Sequence, residues 1–271
     1  MLSKPRRTIF LFNRADGVLL SLFIAFVCGP SVVQADSLGA SSLVNNRTSG
    51  NVACRDDIAS KHRKGLANSL RKISGWPDLE FDHAGILRKG SKTAVGGSKA
   101  ARELIAKVLF GNNAVVLEDV SRSWDVAFMR VVQARWKTPD PNSRPAFVVQ
   151  IDFADFDQVM GDAPALLAFD VGWGLLHELD HIVHDSQDAS SFGETGECEE
   201  RINQMRRECN LPQRVGYFYT ASPLTSETTF STRLVRLQFE QTGEKKKRYW
   251  VVWDANLVGG INPHKQIASM R

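Results

Sequence analysis

The chain has 271 residues, 43% of them apolar and 24% charged, with a formal net charge of +4 at neutral pH. This composition supplies ample material for a hydrophobic core and excludes the disordered, collagen-like and polytopic membrane classes. One globular domain with an appended segment is the expectation.

Residues 1–35 read as a secretory signal peptide. Lys4, Arg6, Arg7 and Arg14 form a basic front, "GVLLSLFIAFVC" is an apolar run, and "VVQA" leads to a break at Ala35/Asp36. Gly29 and Pro30 stop the run well short of the roughly 20 residues that span a bilayer. Val27 stands where a lipid-modified cysteine would need a small residue before it, so Cys28 is not read as an acylation site. The four basic residues less Asp16 give this segment +3 of the +4, leaving about +1 for the mature chain. The basic character therefore belongs to targeting, and a nucleic-acid partner is not expected. The mature protein is expected to be secreted or periplasmic, without a stable membrane span.

Residues 36–53, rich in Ser, Asn and Gly, read as a flexible leader, and residues 54–271 as one domain. Helical spacing covers 54–73 and 98–110, the second ending at Gly111. Three strand-like runs follow: "AVVLEDV", "VAFMRVVQARW" and "AFVVQIDF". The last of them leads into "FDVGWGLLHELDHIVHD", which gathers three of the chain's six histidines. On a helix of about 100° per residue, His181 and His184 lie near the direction of His177, whereas Leu175, Leu176, Leu179, Ile182 and Val183 lie opposite. Asp170 is placed to cap this helix over 172–185, and Gly172 and Gly174 leave room for a second backbone or a ligand.

Imidazoles at i and i+4 can reach one zinc ion, and Glu178 beside His177 is placed to take a proton from a water in the open position. Attack on a peptide carbonyl follows from that chemistry. A third protein ligand is still required. His184 and Asp185 share the histidine face but sit too far along the axis for a straight helix to bring them to the same ion.

Downstream, "GETGECEERINQMRRECNLPQR" predicts a helix over about 197–210, ending before Pro212, with Cys198, Ile202, Met205 and Cys209 as its apolar stripe. Glu199 lies at the margin of that stripe, while Glu197 and Glu200 point away from it. Glu199 is therefore the first candidate third ligand, with Glu200 and His184 as alternatives, and Asn203 could orient a ligand from the same side. The pair "HELDH" and "ERIN", with Glu199 just before the second, resembles the zincin metallopeptidases, specifically the glutamate zincins.

The resemblance covers residues 145–214. It implies an α+β, zincin-like fold with a small mixed sheet on the active-site helix, zinc held by His177, His181 and Glu199, Glu178 as general base, and a peptide or protein substrate. It also implies that "AFVVQIDF" is the edge strand pairing with substrate. Asn203 replaces the family's usual aspartate, and Asp180 places a charge inside the motif. Tyr217, Tyr219 and His264 are candidates by residue type alone for stabilising an oxyanion.

"STRLVRLQFEQ" and "KRYWVVWDANLVGG" predict a C-terminal β-hairpin whose turn carries "KKKR", with Trp250 and Trp253 either in the core or lining a binding surface. Of the mature chain's three cysteines, Cys198 and Cys209 share a helix and cannot bond to each other. Cys54 could pair with either, or all three could be free. A second class of function also fits this sequence: an exported binding or structural protein whose metal site only stabilises the fold.

Overall fold

The computed structural model describes residues 51–134, 144–191, 193–217, 220–221, 234–243 and 245–259. The segment read as a signal peptide, the leader up to residue 50, Tyr219 and His264 lie outside them. The described residues form a mixed α+β structure with three small sheets and six helices. None of these helices is long and apolar enough to cross a membrane.

The first sheet has four strands: β1 (Val52–Cys54), β4 (Ala114–Asp119), β5 (Met129–Gln133) and β6 (Ala146–Ile151). Their order is β1-β4-β6-β5, with β1, β4 and β6 parallel and β5 antiparallel to β6. Two expectations are corrected here. The leader ends earlier than predicted, because Val52 and Ala53 are buried and pair with Val115 and Val116. A three-residue strand enclosed by the core shows no polar alternation and so gives no local signal. "AFVVQIDF" is not an edge strand, since as β6 it lies inside the sheet between β4 and β5, and the edges among the described residues are β1 and β5. Strand order depends on long-range pairing, which the local pattern does not encode.

Helix α1 (Ser60–Ser74) starts later than predicted, and α2 (Lys99–Phe110) is capped by Ser98, whose side chain accepts from the Ala101 N–H at 2.9 Å. A short hairpin of β2 (Leu79–Phe81) and β3 (Leu87–Lys89) lies between them, and the short helices α3 (Phe153–Asp157) and α4 (Ala163–Leu167) follow β6. None of these four was predicted, since three to five residues are too few to show a period.

Helix α5 (Val171–His184) carries the histidine motif and packs against α1, α2, β5 and α6 (Gly196–Glu208). Its apolar residues Leu175, Leu176, Leu179 and Ile182 are buried in the main core, as the helical angles predict. Asp170 caps it as expected, accepting from the N–H groups of Gly172 and Trp173 at 2.9 and 3.2 Å. Asp185 closes the helix in the left-handed conformation, with φ of 51°. Gly172 serves the approach of α1, because a Cβ there would stand 2.1 Å from Ser69 Oγ, which donates to the capping Asp170. Gly172→Ala is accordingly expected to lower stability by about 1–3 kcal/mol through overpacking. Denaturant unfolding beside Gly65→Ala, where a Cβ meets nothing within 4 Å, checks this.

The second sheet joins β7 (Met160–Gly161), β8 (Gln213–Arg214), β9 (Thr220–Ala221), β10 (Leu234–Gln241) and β11 (Lys247–Asp254). β10 and β11 form the expected hairpin, with Val235 opposite Trp253 and Gln241 opposite Lys247. The basic run straddles its turn: Lys245 and Lys246 precede β11, and Lys247 and Arg248 begin it, all four exposed. Val235, Leu237, Phe239, Val251 and Trp253 form a second core that meets Phe169. The three described cysteines are free thiols; Cys54 and Cys198 are buried, and burial pushes the Cys54 thiol up to about 12.

Candidate metal centre

The helix spacing brings His177 and His181 onto the face of α5 that looks toward α6, with their ring centroids 4.8 Å apart. The chain then turns at Asp185 and returns past the start of α6, where Asp188 bridges to Gly196 and the Cys198 N–H donates to the Gln187 carbonyl at 3.2 Å. Gly196, at φ of 77°, permits this contact, since a Cβ there would lie 2.3 Å from the Ala189 nitrogen.

The turn delivers Asp188 between the two imidazoles. Its Oδ1 stands 3.1 Å from His177 Nε2 and 3.4 Å from His181 Nε2, and Tyr217 Oη donates to its Oδ2 at 2.8 Å. The side chains of His177, His181 and Asp188 are each 12–13% exposed. With Cys198 they form a group of four residues whose donor atoms all lie within 4.8 Å of one another. Imidazole, carboxylate and thiol are the donor types of zinc and related divalent centres, so this set fits a metal ion.

The ring nitrogens facing away from Asp188 are also occupied. His181 Nδ1 is 2.8 Å from the Ser186 carbonyl, which can only accept, so this nitrogen carries the proton and Nε2 of the neutral ring keeps its lone pair for a metal ion. His177 Nδ1 is 3.5 Å from Glu199 Oε2.

Glu199 is buried facing α5, as its position on the helix predicts, but its carboxylate lies outside the four-residue donor group. It is ion-paired to the buried Arg206 and to Arg214, the latter at 3.2 Å. Burial raises the Glu199 pKa, but the two guanidiniums outweigh it and hold the carboxyl well below the usual range. The expected ligand Glu199 thus stands beside the His177 ring, and Asp188 is the acid that belongs to the donor group. Two cations claim the Glu199 oxygens, whereas Asp188 faces the two imidazoles and the Tyr217 hydroxyl.

The other candidates separate clearly. Glu200 is exposed and bonds to Thr195. His184 pairs through Nδ1 with the fully buried Asp180 at 2.6 Å, and Ser186 Oγ donates to the same carboxylate at 2.6 Å. Asp180 therefore anchors the turn after α5 and does not face the centre. Asn203 accepts from the Arg206 guanidinium at 2.9 Å and from the Arg214 backbone N–H at 2.8 Å, which fixes the cations and leaves the metal donors untouched.

Glu178 is 7% exposed, and the Val131 backbone on β5 pulls its carboxyl down. Burial lifts its carboxyl above the ordinary value against the pull of His177 and His181. Next to it opens a cavity of about 100 Å³. Its wall is aromatic: Phe128 meets Phe156, Phe169 and Trp253 at centroid distances of 5.0–5.2 Å. Phe128 adopts φ of 63°, an unusual conformation for a bulky residue, with its N–H held by Asp155 at 2.9 Å. Trp253 packs in the second core, as one of the two expectations had it, and its ring also lines this cavity.

No protein-family model, curated protein or solved structure matches the chain. The site is therefore read from its own geometry.

Without metal, burial disfavours a charged His177 or His181, yet the neighbouring sulfur and the Asp188 carboxylate outweigh it and raise both imidazoles. A metal must displace those protons. Affinity is accordingly expected to climb with pH across the neutral range, by about tenfold per unit for each proton displaced. Competitive zinc titration at several pH values measures this, and a flat profile would contradict the imidazole donors.

Proposed function

We propose that this chain is an exported zinc-dependent peptidase with a zincin-like active-site helix. The observation that carries the reading is the convergence of His177 Nε2, His181 Nε2 and Asp188 Oδ1 beside the buried carboxylate of Glu178. The general resemblance of the "HELDH" helix to the zincins supports it, with Asp188 taking the place first assigned to Glu199.

A zinc ion in this centre would polarise the scissile carbonyl and make water acidic near neutrality. The protein's own groups would do the remainder. Glu178 accepts the proton of the attacking water and passes it to the leaving amine, a task suited to a carboxyl raised by burial. Glu199 and the Ser186 carbonyl hold the two imidazoles in orientation. Tyr217, bonded to Asp188, fixes that carboxylate.

Strand β5 has one strand partner among the described residues, β6, so it forms an edge of its sheet, and it packs against α5. An extended peptide can add along such an edge through main-chain hydrogen bonds. The adjoining aromatic cavity would then take one apolar side chain of the substrate.

The test is zinc content of the purified chain together with cleavage of a peptide mixture. One zinc per chain and cleavage beside large apolar residues are expected. A folded protein that binds no zinc, or a zinc-loaded protein with no hydrolysis, would overturn the peptidase reading.

A further inference from the structure

We propose that Cys198 is a fourth protein ligand of this centre, so that the ion is held by two imidazoles, one carboxylate and one thiolate. The inference rests on the metal-site reading above and deepens it. Cys198 is the third residue of α6, fully buried, with Sγ 3.4 Å from the His177 carbonyl. Its sulfur belongs to the same group of donor atoms as His177, His181 and Asp188, all within 4.8 Å.

Three arguments favour ligation over a packing role. The first is position. The backbone bond from Cys198 to Gln187 ties the start of α6 to the loop that carries Asp188, so both donors are delivered by one connection. The second is charge. A divalent ion with Asp188 alone leaves a net positive centre inside the protein, and a thiolate brings it to neutrality, which lowers the cost of burial. Glu199 cannot supply that charge, since Arg206 and Arg214 already neutralise it. The third is surroundings. The other two cysteines lie apart from any such donor group among the described residues: Cys54 is in β1, and Cys209 ends α6 with its sulfur 3.5 Å from the Ile73 carbonyl.

A sulfur donor makes the centre soft, favouring zinc or cobalt over magnesium and manganese. A fourth protein ligand fills the tetrahedral position that a catalytic water would take, so hydrolysis at this centre requires expansion to five donors, and a centre that stays four-coordinate is the structural one.

Cobalt titration of the purified full chain tests the assignment. A thiolate ligand produces an intense near-ultraviolet charge-transfer band, which imidazole and carboxylate donors do not. The band is expected to saturate at one cobalt per chain, to disappear in Cys198→Ser and Cys198→Ala, and to persist in Cys209→Ser. Cobalt affinity is expected to fall on the order of tenfold or more in the two Cys198 variants. A parent chain that binds one cobalt without the band overturns the thiolate ligand and leaves the peptidase reading intact, as does a band that survives in Cys198→Ala. A parent chain that binds no cobalt or zinc overturns both. Should the Cys198 variants fail to fold, the parent spectrum with Cys209→Ser still decides. Peptide hydrolysis by the zinc-loaded chain, measured separately, distinguishes a catalytic centre from a purely structural one.

Discussion

Glu178→Gln is expected to leave zinc content and folding unchanged while peptide hydrolysis falls by about 10²–10⁴-fold, the usual contribution of a positioned general base. The substitution is close to isosteric, and its side-chain carbonyl keeps an acceptor oxygen. Only the capacity to take a proton is lost. Glu178 is also outside the converging donor group, so the ion keeps its ligands. The pH profile of the parent adds a second check. Burial lifts the Glu178 carboxyl in the metal-free chain and a bound zinc ion would lower it, so the expected signature is an acidic limb of hydrolysis that is absent from the residual activity of Glu178→Gln. Zinc analysis, unfolding and hydrolysis on the same preparation decide the matter. Retained hydrolysis in Glu178→Gln would remove this residue from the mechanism, and lost zinc would make it a ligand.

The parts of this site that could be read from the sequence are those fixed by helical periodicity. Leu175, Leu176, Leu179 and Ile182 go to the core and His177 and His181 to the opposite face because one angle per residue determines both. Asp170 caps α5 because a short acid before an apolar run satisfies its free N–H groups. Glu199 turns inward and Glu197 and Glu200 outward for the same periodic reason.

Periodicity gives no information about Asp188. It lies seven residues beyond His181, past a left-handed turn, in a loop whose path is fixed by a bridge to Gly196. The signal that could have found it was the short polar stretch "HDSQD" directly after the motif, with an acid at its end. Cys198 was assigned correctly to an apolar stripe, but that stripe abuts the histidines. Arg206 lies two turns beyond Glu199 on α6, within reach of the same periodicity, whereas Arg214 stands past the helix end and meets Glu199 only through the fold. The same limit explains the edge strand: "MRVVQ" and "AFVVQI" have similar patterns, and only pairing with β4 places one of them inside the sheet.

The two acids compared as third ligand can be separated by opposite signatures in metal binding and stability. Asp188→Ala is expected to abolish stoichiometric zinc binding and, with it, hydrolysis. Its Oδ1 stands within 3.4 Å of both imidazoles. The folded chain should survive, since Asp188 lies in a loop and its removal leaves the Tyr217 hydroxyl and two imidazoles that can become neutral. Glu199→Ala is expected to behave the other way. Zinc affinity should fall only about 10–100-fold, the range for a residue that orients a ligand without touching the ion. Stability should fall by about 3–5 kcal/mol, because Arg206 is left charged and buried with its main counter-ion removed. A double variant, Glu199→Gln with Arg206→Met, should recover much of that loss by removing both charges, while zinc affinity stays reduced. Zinc titration beside denaturant unfolding gives both quantities for each variant. If Glu199→Ala abolished zinc binding and Asp188→Ala did not, the ion would sit against Glu199. Arg206 and Arg214 would then have to release that carboxylate when metal binds, and the salt links described here would belong to the metal-free state alone.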